Sequence, residues 1–298
     1  MVPMIRIPTA TLEGKKIPRV IFSLRPFTPL DHQELTSSMR TIYGIGIGCF
    51  DLPSLTHLES FRELRRLTND ETLIGICHIE AEKGVSFLGK PLRQFEPKIL
   101  STIKKNLLLP QAIRNSYRIP FSSEVFTQKE IDRMSFDPFR FDKALALFNP
   151  EDSPFLLLGE GYGDWLLALG RMDLLKEMVQ RVREKGFIPI FSGQWATFVL
   201  PKAKPLDVAA YAIPINKRWS FFDLTHACDL IKKFDRPVIS LNPLADGKLV
   251  RKSEEAFSFL FDELKIHLAI AEVSSEKEAI RMIEVVRKFP SLISRRKA

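Results

Sequence analysis

The sequence predicts a single (β/α)8 barrel. It holds eight short, near-continuous apolar runs, and amphipathic helical stretches follow most of them, with no linker to divide the 298 residues. Continuous apolar runs are what parallel strands covered on both faces require, whereas a half-exposed strand would alternate. Eight strands alternating with helices in a chain of this length favour closure into a barrel over an open sheet. Residues 1–298 therefore read as one domain, with 83–152 as an excursion inside it.

The elements follow in order. "IRIPTATLEGKKIPRV" reads as a strand, a Gly-Lys-Lys turn and the first barrel strand, so that a short hairpin closes the barrel bottom. The barrel strands are expected at 19–27, 45–51, 72–80, 154–162, 187–194, 207–216, 237–245 and 265–274, and the helices at 31–43, 57–68, 164–185, 221–234, 253–264 and 275–288. Asp31 is placed to cap the first helix, whose apolar stripe is Leu35, Met39 and Ile42. In the third, Leu167, Met172, Leu175, Met178, Val179 and Val182 form one stripe, and Gly186 stands where a C-cap belongs. Segment 83–152 is too long for one crossover; it reads as a helix at 95–107 plus an excursion over one end of the barrel. A large insertion after the third strand is thus expected.

The glycines of "YGIGIGCFD" do not form a phosphate-cradling loop. That loop needs a strand before it and a helix after it, and here the order is reversed. They read as a helix end and close-packing positions, which moves attention to Asp51 at the end of a buried strand.

Composition narrows the function classes. No apolar run is long enough to cross a bilayer and the first residues lack a signal-peptide core, so a cytoplasmic protein with no membrane partner is expected. Cys49, Cys77 and Cys228 lie far apart, with neither disulfide nor zinc spacing. The net charge is +8, yet basic residues mostly alternate with acidic ones, as on solvated helix faces. That pattern suits an anionic small molecule better than nucleic acid. Oligomeric state stays open. The low counts of Asn and Gln, six each, hint at a thermophilic source.

In such a barrel the reactive residues stand at the C-terminal ends of the strands. Here these are Arg25 and Phe27, Asp51, His78 and Glu80, Glu160 and Tyr162, Ser192 with Gln194 and Trp195, Asn216 with Lys217, Asn242 to Lys248, and Glu272 with Ser274. Asp51, His78, Glu80 and Glu160 could together ligate a metal. Lys217, ending the sixth strand, stands where barrel aldolases keep a Schiff-base lysine.

Several stretches resemble the aldo-keto reductase family: "GIGCFDLPSLTHLESFRELRRL" its second strand and helix, "REKGFIPIFSGQW" its fifth strand, "RPVISLNPLADGKL" its seventh strand and loop, and "AEVSSEKEA" its last strand and helix start. The resemblance covers most of the chain outside 83–152. It implies a barrel that transfers a hydride from NADPH to a small carbonyl compound, with a tyrosine proton donor assisted by a lysine, an aspartate and a histidine. Asp51 matches the aspartate. Thr56 stands where the tyrosine belongs, with His57 beside it; His78 replaces the lysine, and the histidine position falls at Gly159 or Glu160. The implied catalytic set is therefore Asp51, His78, Glu160 and His57, with an altered proton donor. The implied NADP-binding set is Ser192, Gln194, Asn242, Leu244, Gly247 and Lys248. Backbone N–H groups at 246–249, with Lys248 or Arg251, would meet the pyrophosphate, and the nicotinamide would lie between a sixth-strand position near Ala210 and a stacking Tyr211 or Trp219. A ligand-binding barrel without catalysis, a metal enzyme and a Schiff-base enzyme remain alternatives.

Overall fold

The computed structural model describes residues 7–25, 31–105, 124–160, 162–220 and 223–292; Phe27 and the end of the helix expected at 95–107 lie outside them. Eight parallel strands close into a barrel: β1 Val20–Ser23, β2 Cys49–Leu52, β3 Ile74–Ile79, β4 Phe155–Leu158, β5 Ile188–Ser192, β6 Ala210–Asn216, β7 Val238–Leu241 and β8 Leu268–Glu272. Each pairs with its neighbours in chain order, and β8 returns to β1. All eight expected strands are present, each shorter than its apolar run because the barrel pairs only the central residues.

The inward face is built from Ile21, Cys49, Ile76, Leu157, Ile190, Ala212, Ile239 and Ile270, buried in one cluster with Ala10, Leu12 and Ile17. These last three come from an antiparallel hairpin, Thr9–Leu12 with Lys15–Pro18, which plugs the barrel bottom. The outward side chains, such as Phe22, Phe50, Leu156 and Phe191, pack against the helices. Because side chains two apart on a strand share a face, the residues after Ile21, Cys49, Ile76 and Ile190 on the inward side are Ser23, Asp51, His78 and Ser192, at the open mouth.

The helices depart from expectation at three places. The helix expected at 164–185 is two, Gly163–Ala168 and Met172–Glu184, broken at Gly170, whose φ of +78° no helix accepts. A helix unforeseen in the sequence, Ala196–Ala203, follows β5 in spite of Pro201, held by the buried Phe198, Val199 and Leu200. Between β3 and β4 the excursion folds into a three-stranded antiparallel sheet of Val85–Phe87, Lys90–Pro91 and Met134–Phe136, with helices Glu96–Lys105, Gln128–Asp132 and Pro138–Leu145. The edges of Phe87, Phe95 and Phe126 meet at its centre.

At the bottom, the buried guanidinium of Arg19 donates to the carbonyls of Ile266, His267 and Pro290 and lies 3.9 Å over the Phe261 ring. It ties β1 to the strand and chain end that follow it around the barrel. Replacing it leaves three carbonyls without their donor, that of Ile266 in a buried position and those of His267 and Pro290 partly buried, at a cost of about 1–3 kcal/mol for a fully buried group. Arg19→Met is expected to lower unfolding stability by about 3 kcal/mol, read as a fall in urea midpoint with unchanged slope. A midpoint equal to the parent's would show that the clamp contributes nothing.

Candidate functional site

Three adjacent strands deliver the centre of the site. In register, Glu272 of β8 lies opposite Ser23 of β1, and Ser23 opposite Asp51 of β2. Asp51 is buried, and its Oδ1 stands 2.5 Å from His78 Nε2 at the end of β3. The other ring nitrogen of His78, Nδ1, is 2.7 Å from Glu160 Oε2. With both carboxyls ionised each can only accept, and both ring nitrogens then carry hydrogen, which makes the ring an imidazolium.

The electrostatics agree. Burial alone would push the His78 pKa down, but the charge of Asp51 and the hydrogen bonds to Asp51 and Glu160 raise it to about 9. Burial likewise opposes ionisation of Asp51, yet His78, the Ser23 hydroxyl and Arg25 hold it below the ordinary carboxylate value. The hydrogen bond from His78 does the same for Glu160, against its own burial. Arg25, half exposed, reaches Glu160 Oε1 at 3.4 Å. Glu272, in contrast, is raised by burial and faces the same small cavity of about 200 Å3 as Asp51, His78 and Glu160.

Glu160 reaches this position because Gly159 precedes it. Its φ is +110°, and a Cβ there would stand 2.6 Å from the Ser192 carbonyl, so only glycine lets the chain turn Glu160 into the mouth. A second buried carboxylate had no sequence signal. Asp164, in the helix after β4, accepts from the backbone N–H of Gln194 at 2.8 Å and of Trp195 at 3.2 Å, fixing the β5 loop. Burial raises its pKa to about 6, with those N–H groups pulling the other way. The two partners are thirty residues apart in sequence, and no spacing rule joins them.

Other sequence candidates fall elsewhere. Thr56 is exposed on the first turn of helix Leu55–Thr68. His57 is buried, but its Nδ1 pairs with Ser54 Oγ at 2.7 Å and not with the Asp51–His78–Glu160 chain. Burial lowers its pKa, with the Leu24 carbonyl opposing, so it is neutral at pH 7. Glu80 lies near Lys83, at 3.9 Å, and among the described residues no group of three or more His, Cys, Asp and Glu has a metal-holding arrangement, against the four-residue metal cluster. Lys217 pairs with Glu255 at the surface at 3.1 Å, against a Schiff-base role. Tyr211 faces outward, with its hydroxyl on the carbonyls of Ala203 and Lys204; Trp219 is the aromatic at the mouth. Ala210 lies deep in the barrel, and the amide at the upper end of β6 is Asn216, which donates to the Asn242 carbonyl.

The residues that would hold a nicotinamide cofactor divide into two groups. At β5 the Ser192 hydroxyl is buried with no partner among the described residues, and Gln194 lines the mouth, which fits a carboxamide. The 242–251 loop fits poorly. The N–H of Asp246 goes to Asn242 Oδ1, that of Lys248 to Ala245 and that of Leu249 to Leu244, so three of the four N–H groups expected to cradle a phosphate, all but that of Gly247, are spent inside the loop. Leu244 is a core residue rather than a surface contact. Gly247, with φ +79°, and Arg251 do border a shallow cavity with Lys277 and Arg281, and Lys248 borders another with Asn242. At the last helix, however, the Glu278 carboxylate already takes the N–H and hydroxyl of Ser274.

No protein-family model and no curated protein matches the sequence. The fold has clear likenesses. An aldo-keto reductase of Bacillus halodurans superposes with a TM-score of 0.54 in its apo form and 0.55 in its holo form, at 12% and 11% identity, over 97% and 96% of this chain and 93% of each of those. An aldose reductase of Schistosoma japonicum gives a TM-score of 0.52 at 11% identity, over 94% of this chain and 86% of that one. The chain folds as the aldo-keto reductases do. Among the described residues no helix is long and apolar enough to cross a membrane.

The three coupled charges set a pH window. His78, whose pKa is raised above the ordinary 6.5, contributes stability that is complete below that value and lost as pH rises through about 9. Asp51 and Glu160, lowered, contribute stability that is lost as pH falls through their depressed values. Unfolding free energy should therefore decline from pH 6.5 to 9 in the parent, and this decline should be absent in His78→Gln. Parallel pH profiles for the two proteins would contradict it.

Proposed function

We propose that the barrel mouth is the active site of an oxidoreductase that reduces a small carbonyl compound, with His78 replacing the lysine and tyrosine of the aldo-keto reductase pattern. The observation that carries this reading is the His78 imidazolium held by Asp51 on one nitrogen and Glu160 on the other. Reduction of a carbonyl needs positive charge where the oxygen turns negative, and a proton to complete the alcohol. His78 and Arg25 supply the charge. Because Nε2 is committed to buried Asp51, the proton leaves from Nδ1: Glu160, at the open edge, accepts it and passes it to the substrate oxygen, and solvent then reprotonates the ring. Asp51 keeps the ring oriented throughout and favours its return to the cationic form.

A nicotinamide would supply the hydride, which adds to the carbonyl carbon as the C=O electron pair moves to oxygen. Ser192 and Gln194 would hold its carboxamide, while Asn242, Lys248 and the Gly247 N–H would meet the rest, since the N–H groups of Asp246, Lys248 and Leu249 are already used. Asp164 keeps Gln194 in place. NADP as the particular cofactor, an anionic small molecule as the partner, and a cytoplasmic setting belong to this same reading.

Titration with NADPH and with NADH, followed by cofactor fluorescence, tests it first; no change at millimolar cofactor would overturn the reading. With a carbonyl substrate present, His78→Gln is expected to reduce turnover by about 10²-fold or more, and Gly159→Ala to do so by displacing Glu160. His78→Lys should recover part of the loss. Equal turnover in all four proteins would place the chemistry elsewhere.

A further inference from the structure

Ser54 and His57 form a pair that the chemistry read at the mouth leaves unused. Ser54 caps helix Leu55–Thr68, and a spacing of three residues brings the His57 side chain back over it, with Nδ1 2.7 Å from Ser54 Oγ. The capping bond itself, from the His57 N–H to the same oxygen, is longer at 3.4 Å, so the ring is the closer partner of the hydroxyl. Ser54 is exposed, His57 is buried, and both border a cavity of about 550 Å3 beside the barrel mouth, the size of a small-molecule site. The charged groups on that cavity are already matched: Glu160 has Arg25 and His78, and Glu80 lies 3.9 Å from Lys83. The Ser54 hydroxyl is its accessible neutral nucleophile.

The His57 ring is set to accept a proton. Nδ1 has the hydroxyl, Nε2 is buried without a hydrogen bond among the described residues, and the backbone acceptor acting on the ring is the Leu24 carbonyl. With Nδ1 taken by the hydroxyl, the hydrogen of the neutral ring is assigned to Nε2, which leaves the Nδ1 lone pair for the Ser54 proton. Burial, Arg25 and His78 keep the ring neutral, while the Leu24 carbonyl and Asp51 favour the charge that arrives with a proton. A helix also leaves its first N–H groups without intrahelical acceptors, and those of Leu55 and Thr56 have no partner among the described residues. They directly follow the hydroxyl in the chain, as donors for an oxygen that turns negative need to do.

We propose that Ser54 is a nucleophile with His57 as its general base, and that this pair gives the barrel a second activity, the hydrolysis of a small carboxylic ester. It goes beyond the reduction read at the mouth and needs no nicotinamide. Ser54 Oγ bonds to the acyl carbon as its proton passes to His57 Nδ1 and the C=O electron pair moves to oxygen, towards the Leu55 and Thr56 N–H groups. The pair then returns, the bond to the alkoxy oxygen breaks, and the leaving alcohol takes the proton from Nδ1. Water attacks the acyl-serine in the same way: Nδ1 accepts a proton from the water and returns it to Ser54 Oγ as the carboxylic acid departs. A hydroxyl paired with a base that is itself oriented by a third group is the arrangement nucleophilic catalysis requires.

The test uses p-nitrophenyl acetate with no nicotinamide added. The parent is expected to hydrolyse it, and diisopropyl fluorophosphate to stop the reaction and leave its phosphoryl group on Ser54, located by mass spectrometry of the digested protein. Ser54→Asn keeps a side chain that caps the helix but loses the hydroxyl, and His57→Gln loses the base. Each should lower hydrolysis by at least about 10²-fold, the usual share of general-base catalysis, with the thermal midpoint of Ser54→Asn equal to the parent's. An unlabelled parent, an adduct on another residue in place of Ser54, or hydrolysis by both variants at the parent's rate overturns the proposal. The labelling is read on the parent alone, so a variant that folds poorly does not shield it. Ester hydrolysis through Ser54 in a protein that binds no NADPH keeps this pair and removes the reductase reading. NADPH-dependent reduction in a protein whose Ser54 takes no label does the reverse.

Discussion

An imidazolium held between two carboxylates is the constraint around which the barrel mouth is organised. Removing a positive ring from water is costly, and it persists here because Asp51 and Glu160 together more than offset the desolvation of His78. Each partner then needs its own support. Asp51 takes a hydrogen bond from Ser23 on the neighbouring strand, and Glu160 has Arg25 at its outer oxygen. The positive φ of Gly159 is what allows a side chain on the loop after β4 to reach a ring on β3. None of these features is independent. A change at His78 leaves both carboxylates without their counterpart, and the loss of Asp51 or Glu160 leaves the ring with a single partner.

The same arrangement changes the chemistry the fold can perform. A lysine beside an aspartate offers further N–H donors to a neighbouring phenol, whereas an imidazolium offers two and both are engaged here. In the proposed reaction the proton would therefore move through a carboxylate, Glu160, which lies at the edge of the mouth. Glu272 sharpens the contrast: it faces the same cavity but lacks a cation of its own, so its environment pushes it towards the neutral form while Asp51 and Glu160 stay ionised. Carboxyls whose environments push them in opposite directions within one cavity are the usual raw material of acid–base work.

Around this centre the surroundings are uneven. The β5 side retains a partnerless serine hydroxyl and a glutamine positioned by Asp164. The β7 side has turned its backbone donors inward, with Asn242 and Asp246 closing the loop on each other. The excursion between β3 and β4, meanwhile, contributes Lys83, Ala144, Leu147 and Phe148 to one wall of a cavity that opens beside His78 and Glu160.

Much of the architecture was legible in the sequence alone. Eight apolar runs, helical stripes and the turn of the N-terminal hairpin are local patterns, and local patterns survive because burial on both faces of a strand leaves no other choice of residue. Asp51, His78 and Glu160 were legible as strand-end residues for the same reason: parity along a strand decides which side chains face inward. The sequence could not say that Glu80, just past the end of β3, has Lys83 beside it, nor that Thr56 faces water while His57 is buried. It gave no hint of Asp164, whose partners lie thirty residues on, or of helix Ala196–Ala203, which packing maintains against the preference of Pro201. The spent N–H groups of the 242–251 loop belong to the same class, since residue types alone do not reveal which donors a loop uses on itself. Contacts between distant segments, and the left-handed turns at Gly159 and Gly170, are set by how the closed barrel brings strand ends together, and that is decided only when all eight strands are in place.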